Sequence, residues 1–148
     1  GIAKDGAKLV TTVACAQVPK FTVVIGGSHG AGNYAMCGRA FDPFLTLAWP
    51  GARCAVMGAG SAANTLLQID LAARKRRGEE IDEDERASLL EAISASYSEQ
   101  QDILYGAARG WVDRMIEPGR TREELTDALQ IASTFTIEGE YHTGVLQT

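Results

Sequence analysis

Residues Gly26-Gly27-Ser28-His29-Gly30-Ala31-Gly32 place four glycines and one alanine within seven positions, directly after the apolar run Phe21-Thr22-Val23-Val24-Ile25. The run predicts a buried β-strand. The turn behind it is stripped of bulk, so backbone N–H groups can approach a ligand closely, and glycine takes positive φ without a Cβ penalty. A helix starting near Gly30 adds its unpaired first-turn N–H groups and the positive end of its dipole. Such a turn is built to hold an anion or a developing oxyanion. The donors are the N–H groups of Ala31 and Gly32, each of a kind worth about 3 kcal/mol to a transition state.

Side chains offer a second chemistry at the same place. Gly26-Gly27-Ser28-His29-Gly30 fits G-x-S-x-G between a strand and a helix, the setting of a nucleophile elbow. A serine hydrolase would then use Ser28, with Asp113 or Asp127 as acid and His142 as base. His142 sits in a polar tail with no strand before it, and a hydrolase sheet needs more chain than is present. His29 lies inside the turn, where it either polarises a ligand or is a hydrogen-bonded structural histidine. Tyr34 projects from the first helical turn and reads as a pocket wall. Neither G-x-x-x-x-G-K-[ST] nor G-x-G-x-x-G occurs in this turn. Cys15, Cys37 and Cys54 form no CxxC and read as buried reduced thiols of an intracellular protein. With only His29 and His142 to join them, no metal-ligand spacing arises.

The elements that must position this turn follow from periodicity. The spacing predicts a helix over 2–18 ended by Pro19, a strand over 21–25, a short helix over 30–39, and strands over 45–49 and 52–57. Ser61 is the expected N-cap of a helix over 62–77. After a charged loop, one long helix is expected over 85–109, then a strand-like segment over 110–116. Thr121 with Glu124 reads as a capping box opening a helix to about 133. Trp49 and Trp111, which flank strands, read as core. The alternation implies an α/β core of few, mostly buried strands, a fragment of a larger sheet. In this reading residues 1–133 form the domain portion and 134–148 a polar tail.

With 148 residues and 45% hydrophobic content, one domain with a real core is expected. The net charge of −5 argues against nucleic acid as partner. The basic cluster Arg74-Lys75-Arg76-Arg77 is answered at once by acidic residues and reads as a solvated helix end. No run reaches the length of a membrane span, and nothing at the N-terminus looks like a secretory signal.

Three ordered motifs carry a resemblance. The stretch from Val18-Pro19-Lys20 through Gly38-Arg39-Ala40, preceded by Gly6-Ala7-Lys8-Leu9, resembles the carboxyltransferase (β) subunit of biotin-dependent acyl-CoA carboxylases, in its C-terminal half. Ala48-Trp49-Pro50-Gly51-Ala52-Arg53 with Val56-Met57-Gly58, and Asp113-Arg114-Met115-Ile116-Glu117-Pro118-Gly119-Arg120-Thr121-Arg122, are similar to two further regions of that family. The Asn33-Tyr34 and Met36-Cys37-Gly38-Arg39 pattern looks most like the methylcrotonyl-CoA and geranyl-CoA branch. Gly58-Ala59-Gly60-Ser61 departs from the GGEQ common there.

The resemblance implies a crotonase-like (ClpP/crotonase) ββα superhelix, here a partial C-terminal domain. It implies transfer of CO2 from carboxybiotin to the α-carbon of an acyl-CoA, with a sibling decarboxylase running the transfer in reverse as an alternative. Ala31 and Gly32 fall on the oxyanion hole for the biotin ureido oxygen. Gly30, Asn33, Tyr34 and His29 fall on the substrate and biotin pocket around it. Biotin's own nitrogen serves as base, so no catalytic side chain is needed. The implied cofactors are biotin, carried on a partner domain, and acyl-CoA. The implied partners are a biotin carboxylase/carboxyl carrier subunit, the carboxyltransferase N-domain that holds CoA, and further copies in a dimer-based hexamer. The expected location is cytoplasmic, or the mitochondrial matrix in a eukaryote. This segment alone, without the N-domain, is expected to be inactive.

Overall fold

The computed structural model describes residues 1–79 and 82–134. In chain order its elements are α1 (Ile2–Cys15), β1 (Phe21–Val24), β2 (Gly27–His29), α2 (Gly30–Ala35), β3 (Leu45–Ala48), β4 (Arg53–Ala55), α3 (Ala59–Arg76), α4 (Glu83–Gln100), α5 (Ile103–Ala108), β5 (Arg114–Met115) and α6 (Thr121–Ala132). Strands β1, β3 and β5 form one parallel sheet in that order, and β2 pairs with β4 in a second. Phe21 lies opposite Leu45 and Val24 opposite Ala48, while Ala48 faces Met115 on its other side. In the second sheet Gly27 faces Arg53 and His29 faces Ala55. Each β-β-α turn of chain thus adds one strand to each sheet before a helix closes it. Central β3 is buried on both faces, with Thr46, Leu47 and Ala48 all shielded, as a covered parallel strand must be. Val24, Ala48, Ala52, Ile103 and Val112 make the core between sheet and helices, with Cys54 and Met115 packed against it.

Several boundaries differ from the periodicity, most for a tertiary or local reason. Helix α1 stops at Cys15, with Ala16 extended at φ −66°, ψ 124°, three residues short of the expected end before Pro19. Strand β4 is three residues long because β2, its partner, has only three before the chain turns into α2. Helix α3 starts at Ala59 with Gly58 as N-cap, so Ser61 lies inside the first turn and does not cap. The helix expected over 85–109 is two helices. Asp82 caps the first, its carboxylate accepting from the Glu85 N–H at 2.7 Å. At the break, buried Gln101 gives its carbonyl to the Cys54 N–H at 2.9 Å, and Asp102 caps α5 by accepting from the Leu104 N–H. The capping box at Thr121 does not form. The Thr121 hydroxyl donates to the Pro118 carbonyl and accepts from the Trp49 indole N–H at 2.9 Å, while Glu124 turns to Arg114. No disulfide links the cysteines, but only Cys37 is fully buried. Residues 135–148, which include His142 and nearly all of the expected tail, lie outside the described residues.

Candidate functional site

The glycine turn is where β2 ends and α2 begins. Parallel pairing of His29 with Ala55 brings Gly30 against the end of β4, where φ is +53° and a Cβ would lie 2.9 Å from the Val56 carbonyl oxygen. Both conditions demand glycine. His29, the N-cap residue of α2, makes no side-chain capping bond, so the first-turn N–H groups are left for an outside acceptor. Ala31 and Gly32 are exposed there, and a Cβ on Gly32 would meet nothing within 4 Å.

Asn33 ties this short helix to both strands beneath it. Its amide donates to the Ser28 hydroxyl at 2.8 Å and reaches the Cys54 sulfur at 3.8 Å. Gly38 packs against the same side chain, with the Asn33 carbonyl oxygen 3.0 Å from where its Cβ would be. At the helix exit Cys37 adopts a left-handed φ of +64°, its carbonyl held by the Thr22 hydroxyl at 2.9 Å. Tyr34 is half-exposed and meets Phe41 edge-on at 5.9 Å between ring centroids. The His29 ring stands over Gly27, and its Nδ1 is shielded without a partner among the described residues.

A cavity of about 240 Å³ opens beside α2, bounded by Gly30, Asn33, Tyr34, Cys54, Val56 and Trp111 among others. The structure therefore brings Gly30, Asn33 and Tyr34 together on one wall. Ala31 and Gly32 lie apart from that wall, on the exposed first turn, and His29 backs onto Gly27. Trp111, expected in the core, is 41% exposed at the cavity's edge, because α5 ends before it and turns it outward against Tyr105. Arg39 and Asp113 also belong here. Arg39 grips both Asp113 oxygens at 2.9 Å, and Asp113 accepts from the Thr46 N–H at 2.8 Å. Burial pushes the Asp113 carboxyl up, but the Thr46 N–H and the Arg39 guanidinium outweigh it and hold it below the ordinary value. Burial pushes the Cys54 thiol up. In the sequence Asp113 stands as a hydrolase acid and as the head of a family motif. Nothing there marks Thr46, Cys54 and Val56 as sharing a cavity, since they come from different elements brought together only by the fold.

Among the described residues Ser28 meets an amide rather than a base, and Asp113 is spent on Arg39. Three or more ligating side chains that could hold a metal ion are not gathered anywhere in that part of the chain. What the turn can offer is paired backbone N–H donors beside an apolar cavity.

Two parallel sheets built by β-β-α turns, with a glycine turn feeding a helix N-terminus, are those of the crotonase-like fold. Within it, the family described as the carboxyl transferase domain matches residues 1–141, and the chain belongs to that family. A probable mitochondrial methylcrotonoyl-CoA carboxylase beta chain of Drosophila melanogaster is 50% identical over 132 residues, 89% of this chain and 23% of that protein. Among solved structures, the beta subunit of P. aeruginosa geranyl-CoA carboxylase is 38% identical with a TM-score of 0.77, covering 98% of this chain and 27% of that one. A transcarboxylase 12S hexamer with hydrolysed methylmalonyl-coenzyme A bound is 32% identical with a TM-score of 0.78, covering 100% and 27%. The chain thus spans about a quarter of the length of the proteins it matches.

Proposed function

We propose that the chain is the biotin-facing part of the carboxyltransferase of a biotin-dependent acyl-CoA carboxylase, one acting on an acyl-CoA of the methylcrotonyl type. The observation that carries this reading is the uncapped, exposed first turn of α2, held in place by Gly30 against Val56. When bound, the carboxylated cofactor, on a carrier domain of a partner subunit, supplies the carboxyl group and a ring nitrogen able to take a proton. The N–H groups of Ala31 and Gly32 donate to the ureido oxygen as negative charge gathers on it. Gly32 keeps the approach open, and Asn33 holds the donors at a fixed angle to the strands. Gly30 and Tyr34 form the adjoining wall, and His29 supports the turn from behind. No side-chain base is required of this chain.

In this reading the acyl-CoA is held by the N-domain, and a biotin carboxylase/carrier subunit delivers the carboxyl group. The assembly is a hexamer built from dimers, which the similar transcarboxylase hexamer supports. The location in this reading is the cytoplasm, or the mitochondrial matrix in a eukaryote; the relatives named mitochondrial support the second. Among the described residues, no helix is long and apolar enough to cross a membrane.

Gly32→Val in the full-length enzyme tests the assignment. A Cβ at Gly32 meets nothing within 4 Å among the described residues, so folding and thermal unfolding are expected to stay near wild type. Carboxyl transfer from carboxybiotin is expected to fall about 100-fold or more, a loss on the scale of one oxyanion contact. The N–H donors are themselves still present, but the added Cβ and methyls keep the ureido oxygen away from them. Near-normal transfer by that variant would sink the assignment.

A further inference from the structure

We propose that Ser28 is a positioning residue for carboxyl transfer, its hydroxyl acting through Asn33 to fix the turn that presents the Ala31 and Gly32 N–H groups. That role rests on the carboxyltransferase reading given above. It gives the G-x-S-x-G pattern of residues 26–30 a use other than nucleophilic attack. Helix α2 needs such a tie. It has six residues, none of them fully buried, and a helix that short does not hold itself together in water. With so little apolar burial to seat it, polar contacts with the strands must set its place. At its exit the Thr22 hydroxyl of β1 holds the Cys37 carbonyl at 2.9 Å. At its entry the tie is the one between Asn33 and Ser28.

Strand alternation puts the serine in reach. Gly27 and His29 share one face of β2, where the imidazole stands over Gly27, and Ser28 takes the other face. Parallel pairing sets Cys54 beside Ser28. The Asn33 amide nitrogen comes down on this pair, 2.8 Å from the Ser28 Oγ and 3.8 Å from the Cys54 Sγ, so each of its two hydrogens has an acceptor. Its Oδ1 lies against Gly38, where a Cβ would overlap it. Asparagine is a poor helix former, yet here its side chain spans from the strand to the far end of α2. It follows Gly32 directly, so any rotation of the Ala31 and Gly32 peptide planes pulls Asn33 off the serine. The same geometry withholds Ser28 from chemistry of its own. Its oxygen accepts from an amide, which cannot take a proton, and the His29 ring is on the opposite face.

The test is Ser28→Ala in the full-length enzyme, assayed with its biotinylated partner subunit and methylcrotonyl-CoA. The kcat for carboxyl transfer is expected to fall about two- to tenfold, the range of one neutral hydrogen bond. KM for the acyl-CoA should stay within about twofold of wild type, because the lost contact serves the transition state and not thioester binding. The double variant with Asn33→Ala should be no slower than Asn33→Ala alone, since the serine acts only through that amide. A wild-type kcat in Ser28→Ala, additive losses in the double variant, or a raised KM in place of a lowered kcat overturns the proposal. A loss matched by the fraction of protein unfolded at the assay temperature, read by circular dichroism, overturns it as well. Failure of the wild-type enzyme to transfer the carboxyl group at all overturns the carboxyltransferase reading instead.

Discussion

Glycines in the candidate site do different work, and the difference can be read residue by residue. Gly30 is demanded by its own backbone and by Val56, and Gly38 by the Asn33 side chain. Gly32 is demanded by nothing among the described residues, so its smallness faces whatever approaches from outside them. Asn33 is the residue on which the geometry converges, linking Ser28 of β2, Cys54 of β4 and the close approach of Gly38. Gly38→Ala is expected to cost about 1–3 kcal/mol, the usual penalty of overpacking. Because the strain falls on Asn33, the double variant with Asn33→Ala should be less destabilised than the sum of the singles by at least about 0.5 kcal/mol. Thermal or denaturant unfolding of the full-length variants measures this, and strict additivity would show that the contact is not strained.

At the level of elements, the Arg39–Asp113–Thr46 cluster fastens the segment after α2 to the junction of β3 and β5. Asp113 is held below its ordinary pKa of 3.8, so the carboxylate form favours the folded state. Its contribution is fully present above the unfolded pKa and is lost as pH falls through the lower folded value. Melting temperatures of wild type and Asp113→Asn should therefore differ most above about pH 5 and converge on acidification. A gap that stays constant down to pH 3 would mean that the charge on Asp113 is immaterial. The break between α4 and α5 belongs at this scale too. The pattern of Leu89, Leu90, Ile93 and Tyr97 is helical throughout, but Asp102 leaves helical geometry at φ −59°, ψ 140°, and the Gln101 carbonyl goes to the Cys54 N–H.

For the whole molecule, the link between the two sheets is tied to the last helix by the Trp49 indole. Its N–H donates to the Thr121 hydroxyl, which in turn donates to the Pro118 carbonyl. Thr121→Val keeps the volume but strands a half-buried donor, and is expected to cost about 1–3 kcal/mol. Equilibrium unfolding of the full-length variant checks this, and an unchanged stability would place α6 outside the cooperative unit.

What the amino-acid sequence by itself determined was a strand before the glycine stretch and a helix after it, the α/β class and the identity of the stretch's residues, but not that Gly27–His29 within it form β2. Those depend on period-2 and period-3.6 patterning and on glycine's lack of a Cβ, which are properties of neighbouring residues. The resemblance of three ordered motifs led to the family for the same local reason. Only the tertiary structure decided where elements stop and which side chains line the cavity. Ser61 lost its capping role, and Trp111 left the core for the cavity's edge. The Thr46 backbone is claimed by Asp113, far along the chain, and its hydroxyl has no partner among the described residues. Such contacts are settled by which backbone groups reach one another first-hand in space, as the Gln101 carbonyl reaches Cys54, and spacing along a single strand or helix carries no record of them.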